Sequence, residues 1–111
     1  MRHEPAESWL KLVDHEPCAA SWEQAANPLK VAISKDEWTK ACEGARRRMG
    51  KAVSRKLKSR QYTEQLPELP GGRYVVMQYE SIFEQKSSVS ETVTTMVDFD
   101  GTWRVSGYFA N

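Results

Sequence analysis

The sequence predicts an α+β domain in which three N-terminal helices pack on one face of a curved four-stranded antiparallel sheet. Apolar residues recur at three-and-four spacing before Gly50 and alternate with period two after it. Turn-rich stretches separate the alternating segments. A chain of 111 residues, 40 % hydrophobic, supports one core. The expectation is therefore a single domain spanning 1–111, with helices over about 5–50 and sheet over about 52–110.

Pro5 suits a first helical turn, and Trp9, Leu12 and Val13 share one face, which places the first helix over 5–14 and its end near His15-Glu16-Pro17. The second helical stretch carries Trp22, Ala25, Ala26 and Leu29. Asn27-Pro28 should break or kink it, because a proline disfavours helical geometry in its predecessor. In the third helix Ser34 and Glu37 have the spacing of a capping box, and Trp38, Ala41, Cys42, Ala45 and Met49 form the apolar stripe. Gly50 stands where a left-handed terminator is wanted.

Beyond Gly50, Val53, Arg55, Leu57 and Ser59 alternate with Ser54, Lys56, Lys58 and Arg60 in a first strand, and residues 66–72 form a turn-rich connection. Residues 73–86 form the next strand, with Val75, Met77, Tyr79 and Phe83 facing the helices. Val93, Val97 and Phe99 face inward from the strand over 89–99, and Trp103, Val105 and Phe109 from the last. This shared parity fixes the final hairpin. A two-residue Asp100-Gly101 loop would pair Val97 with Arg104, whereas a three-residue loop pairs Val97 with Trp103 and Thr95 with Val105 and keeps one face apolar. The second arrangement, with Gly101 left-handed, is predicted.

Motifs that would carry chemistry are sparse. Ser8-Trp9-Leu10-Lys11 matches a Ser-x-x-Lys pattern without its partner motifs. Asp14, His15 and Glu16 read as a solvated helix end, and Asp98 and Asp100 as acceptors for the turn backbone. No glycine-rich phosphate loop or metal-ligand spacing is present, so no cofactor and no metal are implied. Enzymatic activity is left open, and Tyr79, Glu80 or Asp98 would have to supply its acid or base. Cys18 and Cys42 are the two cysteines. Oxidised, they would close a loop that stabilises the fold by about 3 kcal/mol, but the sequence alone favours two free core thiols.

Two surfaces stand out. Tyr74, Gln78, Glu80, Thr92, Thr94, Arg104 and Tyr108 should point away from the helices as a moderately polar contact face, suited to a homodimer or to an unidentified protein or small molecule. Arg46, Arg47, Arg48, Lys51, Lys56, Lys58 and Arg60 form a basic segment within a chain of net charge +1. The arginines complement a helix C-terminus, and Lys56, Lys58 and Arg60 read as the solvated face of an edge strand. A nucleic-acid partner is not expected, because Tyr62 is the one aromatic residue interleaved with these cations. The residues 1–5 lead into a mixed, amphipathic stretch without the apolar core of an export signal, and no membrane span is expected.

Taken in order, Trp9-Leu10, Ser21-Trp22-Glu23-Gln24-Ala25-Ala26, Glu37-Trp38, residues 47–50, Ser54-Arg55, the turn over 66–74, Gln78-Tyr79-Glu80, Glu91-Thr92-Val93 and the run from Asp100 to Tyr108 resemble the bacterial family catalogued as domain of unknown function 4019. The resemblance spans nearly the whole chain and implies an exported protein, periplasmic or secreted once a leader is removed, with no assigned activity. It also implies a helix-then-curved-sheet order similar to the cystatin-like and nuclear-transport-factor-like folds, by analogy of fold alone. Cys18 stands where the family pattern has an aromatic residue, so the resemblance lends no support to a bond with Cys42. The resulting expectation is a non-catalytic binding or interaction module of the bacterial envelope. The alternative is a small enzyme or small-molecule binder that uses a pocket between helices and sheet, lined by tryptophans and Tyr79.

Overall fold

A computed structural model describes residues 4–67 and 69–111. The opening residues 1–3, read above for an export signal, and Glu68 in the turn-rich connection lie outside the described residues. The described chain forms α1 (Glu4–His15), α2 (Cys18–Glu23), α3 (Asn27–Ala32), α4 (Lys35–Met49), β1 (Ala52–Thr63), β2 (Tyr74–Phe83), β3 (Lys86–Val97) and β4 (Trp103–Ala110). The strands make one antiparallel meander in the order β1-β2-β3-β4, with β1 and β4 at its edges.

Four helices replace the three expected, because the break at Asn27-Pro28 is complete. Pro28 enters the first turn of α3, where its missing N–H costs nothing, and α2 ends before it. The α4 capping box forms as predicted: the Glu37 N–H donates to Ser34 Oγ at 3.1 Å, and the Ser34 N–H donates to Glu37 Oε1 at 3.2 Å. Gly50 has the expected positive φ of 76°, but its ψ of −161° takes it beyond the left-handed helical well into a region open essentially to glycine alone.

Ala6, Trp9 and Leu10 of α1 pack on Val75, Met77, Tyr79, Val93 and Val105 of the sheet, so α1 is the helix that closes the core. Tryptophan N–H groups tie the helices together. Trp9 donates to the Ser21 carbonyl at 2.8 Å, Trp38 to Ser21 Oγ at 2.9 Å, and Trp22 to the Ile33 carbonyl at 2.9 Å.

The final hairpin has the predicted register. Val97 pairs with Trp103 and Thr95 with Val105, Gly101 has φ 84°, and its N–H donates to the Asp98 carbonyl at 2.9 Å. The odd-face rule nevertheless fails at Phe99 and Phe109. Phe99 sits in the turn and is 87 % exposed, since it belongs to no strand. Farther along, Thr94 pairs with Gly107 while Thr95 pairs with Val105, so Ser106 is an extra residue that reverses the alternation. Phe109 therefore faces outward, 63 % exposed, and Tyr108 turns inward.

The expected strand over 73–86 stops at Phe83. Glu84 and Gln85 turn the chain, and Phe83 pairs with Lys86, although this loop contains no Gly, Asn or Asp. Tertiary contacts hold the turn instead: the Gln85 N–H donates to the Met49 carbonyl at 2.8 Å and the Glu84 N–H to the Lys51 carbonyl at 2.9 Å. Cys18 and Cys42 form a disulfide with Cα atoms 6.0 Å apart, which corrects the expectation of free thiols. The break between α2 and α3 lets the chain double back, so that α4 runs beside α2 and brings the two sulfurs together.

Candidate ligand-binding cavity

The helix α4 carries a well-formed apolar stripe, yet none of its residues is fully buried. Three pins at four-residue spacing explain this. Trp38 is hydrogen-bonded to Ser21, Cys42 is bonded to Cys18, and Arg46 Nη2 donates to the carbonyls of Leu12, Val13 and Glu16 at the end of α1. Positions i, i+4 and i+8 share one helical face, so all three pins pull α4 against α1 and α2. Its other lining residues, Ala41, Ala45 and Met49, are left looking across a gap toward the sheet.

That gap is a cavity of about 260 Å³, partly open to solvent. Trp38, Phe83 and Tyr108 supply aromatic walls; Val13, Ala45, Met49, Ala52 and Ala110 add aliphatic and thioether groups. Asp14, Glu91, Arg46 and Lys51 are the charged groups on its border. The lining does not include Tyr79, which corrects the expected wall. A second, more open groove between α1 and β4 borders Ser8, Trp9 and Trp103 and lacks a comparable buried charge network.

At the sheet side of the first cavity lies an ion network that the sequence reading did not single out. The Glu91 side chain is 0 % exposed and accepts from four donors: Arg55 Nε at 2.6 Å, Arg55 Nη2 at 3.1 Å, Ser81 Oγ at 2.5 Å, and the Tyr108 hydroxyl. Arg55 reaches onward to Asp14, with Nη1 at 2.8 Å from Oδ2 and Nη2 at 3.3 Å from Oδ1. Its guanidinium also lies 5.9 Å from the centre of the Phe83 ring. The β4 bulge builds this site, because Tyr108 could not meet Glu91 without the reversal at Ser106.

The protonation of the network follows from its contacts. Burial alone would raise the Glu91 carboxyl, but the hydrogen bonds from Arg55, Ser81 and Tyr108 outweigh it and hold the group below the usual carboxylate range. Burial, the Glu91 charge and the bond donated to Glu91 push the Tyr108 phenol well above its ordinary value. Burial would lower Arg55, and its bonds to Glu91 and Asp14 more than reverse that. Glu91 is thus a fixed anion with its lone pairs filled, and Tyr108 a fixed donor.

The candidate residues fall in different places. Tyr108 belongs to this interior network and not to the outer sheet face. Tyr74 is outward but buried, its hydroxyl donating to the Pro70 carbonyl at 2.7 Å beneath the β1–β2 connection. Gln78 and Glu80 are exposed on that face, and Thr92 and Thr94 are half-buried. Arg104 forks onto Asp100 at 2.8 and 2.9 Å and touches Asp98 at 3.1 Å. The Asp98 carboxylate also accepts from the Asn27 N–H at 3.0 Å and caps α3, far from any acid–base task. Of the proposed acid–base residues, Tyr79 has its hydroxyl beside the Met77 sulfur and Glu80 lies on the opposite face, so the three are not brought together.

The basic segment is also divided. Arg46 is spent on the end of α1, whereas Arg47, Arg48 and Lys51 lie at the surface. A bulge at Lys58 sends Arg60 to the Met77 side of the sheet, so Lys56 and Arg60 do not share a face as expected. Asp14, read as a solvated helix end, is instead paired with Arg55 with 13 % of its side chain exposed, while His15 and Glu16 are exposed.

The family model described as "Protein of unknown function (DUF4019)" matches residues 5–108. The chain belongs to this family. No curated protein matches it. Within the family match lie all five residues of the buried network, Asp14, Arg55, Ser81, Glu91 and Tyr108. Among the described residues no group of His, Cys, Asp and Glu is placed to hold a metal ion, and no helix is long and apolar enough to cross a membrane.

Proposed function

We propose that this DUF4019 chain is a small-molecule-binding module of the bacterial envelope, and that the cavity between α4 and the sheet is its site. The observation that carries the reading is an apolar helix face held off the sheet by three pins, with alanines at Ala41 and Ala45 where a larger residue would fill the space. A closed void of 260 Å³ would cost about 6 kcal/mol at about 24 cal/mol per Å³, a large share of a small domain's net stability. An opening to solvent and a ligand both reduce that cost. The volume lies just below the roughly 300–1,000 Å³ typical of small-molecule sites, which restricts the occupant to a small molecule.

Binding is favoured over catalysis because the one carboxylate fully buried among the described residues is saturated with donors and held ionised, so it has no lone pair with which to take a proton. The envelope assignment draws on the Cys18–Cys42 disulfide, which persists in oxidising compartments, and on the export implied by the family resemblance.

The test is a titration with indole, a neutral ring of suitable size, followed in amide correlation spectra. Shifts confined to Trp38, Ala45, Glu91, Tyr108 and their neighbours, and abolished in Ala45→Phe, are the expected result. Shifts elsewhere, or shifts that survive Ala45→Phe, would remove the cavity from consideration.

A further inference from the structure

Resting on the reading of the cavity as a ligand site, we infer that its occupant is a small organic amine, an ammonium group carried on a short aromatic or apolar body. The inventory of polar groups around the cavity leads there. Glu91 has both oxygens filled, Tyr108 donates its hydroxyl hydrogen to Glu91, and Arg55 spends four of its five N–H groups on the two carboxylates, leaving one on Nη1. Arg46 Nη2 is shared among three carbonyls, and Arg46 Nε is buried without a partner, closed to any group of water size. Of the two carboxylates, Asp14 retains acceptor capacity. Each Asp14 oxygen accepts a single bond from Arg55 although a carboxylate oxygen takes about two, and Asp14 keeps part of its surface open to the cavity border. A ligand that docks against Asp14 has to donate.

Charge sharpens the choice among donors. One guanidinium lies between two carboxylates, which leaves one negative charge without a partner inside the Arg55–Glu91–Asp14 cluster. Two other cations border the cavity. Arg46 faces the carbonyl end of α1, whose dipole already draws on its charge, and Lys51 is exposed to solvent, where screening weakens its reach. The walls favour the same ligand: Trp38, Phe83 and Tyr108 line the cavity with aromatic rings, and Phe83 already carries a cation above its ring. The volume admits one ring with a short alkylamine arm.

Three probes of similar size separate the possibilities: phenethylamine, the neutral 2-phenylethanol and the anion 3-phenylpropionate, each titrated into the oxidised protein by calorimetry and amide spectra. Phenethylamine is expected to bind at least tenfold more tightly than either of the others and to shift Asp14, Trp38 and Tyr108. Asp14→Asn should erase that preference while leaving 2-phenylethanol binding in place. Equal or tighter binding of the alcohol or the anion at the same residues would overturn the amine and keep the cavity reading. If none of the three, nor indole, shifts the cavity residues, both fall together. The comparison of probes in the unsubstituted protein decides the matter even where Asp14→Asn fails to fold.

Discussion

Replacing Glu91 by glutamine removes one negative charge and keeps the shape, so it isolates the buried network. The wild-type carboxylate takes two bonds from Arg55 and one each from Ser81 and Tyr108, with its side chain 0 % exposed. The amide introduced by Glu91→Gln would offer one carbonyl oxygen and turn an NH2 group toward donors that cannot all accept. Removing one partner of a buried ion pair costs about 3–5 kcal/mol. Asp14 still holds Arg55 through two bonds, which places the expected loss near the lower end, about 3 kcal/mol, or a fall in Tm of about 12 °C or more. Urea denaturation of both proteins at pH 7 measures it. The pH dependence gives an independent check. The folded Glu91 pKa lies below the unfolded value of about 4.3, so its contribution is complete above that range and is lost as the pH falls through the folded value. The gap between wild type and Glu91→Gln should stay constant from pH 7 to about 5 and narrow below about 4. A gap under about 1 kcal/mol at pH 7, or one that persists undiminished into acid, would refute the reasoning.

Two further perturbations probe the frame that holds the cavity open. Removing the Cys18–Cys42 bond, which spans 24 residues of sequence, should lower the stability measured by urea midpoints by about 3.5 kcal/mol on the loop-entropy estimate; an unchanged midpoint after reduction would show that the bond contributes nothing. Gly50 and Gly101 both have positive φ, but a Cβ at Gly50 would meet Glu84 Cβ at 3.0 Å, whereas one at Gly101 meets nothing within 4 Å. Gly101→Ala should therefore cost about 1 kcal/mol and Gly50→Ala about 2–4 kcal/mol, and equal losses would show that the Glu84–Gln85 turn does not press on the α4–β1 joint.

The outward position of Phe109 and the inward position of Tyr108 mark where pattern reading stopped working. Alternation along β2 and β3 was legible because the burial of Val75, Met77, Val89 and Val93 is a property of strand geometry, repeated every second residue. A bulge leaves no such trace. Ser106 is an ordinary strand residue, and the reversal beyond it depends on how β4 lies against β3. The buried network did leave a sign. Arg55, Ser81 and Glu91 sit at inward positions of their strands, and a glutamate in the row of Val89 and Val93 has to find a partner there. Which partner it finds is invisible in the chain order, since Asp14, Arg55 and Tyr108 come from three separate elements.

Local interactions, then, were determined by the sequence itself: the capping box at Ser34, the break at Pro28, the positive φ at Gly50 and the three-residue final hairpin each depend on neighbours a few positions apart. Tertiary structure alone decided the Glu84–Gln85 turn, the disulfide and the standing-off of α4. Each of these rests on contacts between segments brought together by folding, and the stripe on α4 reads the same whether it meets a sheet or a space.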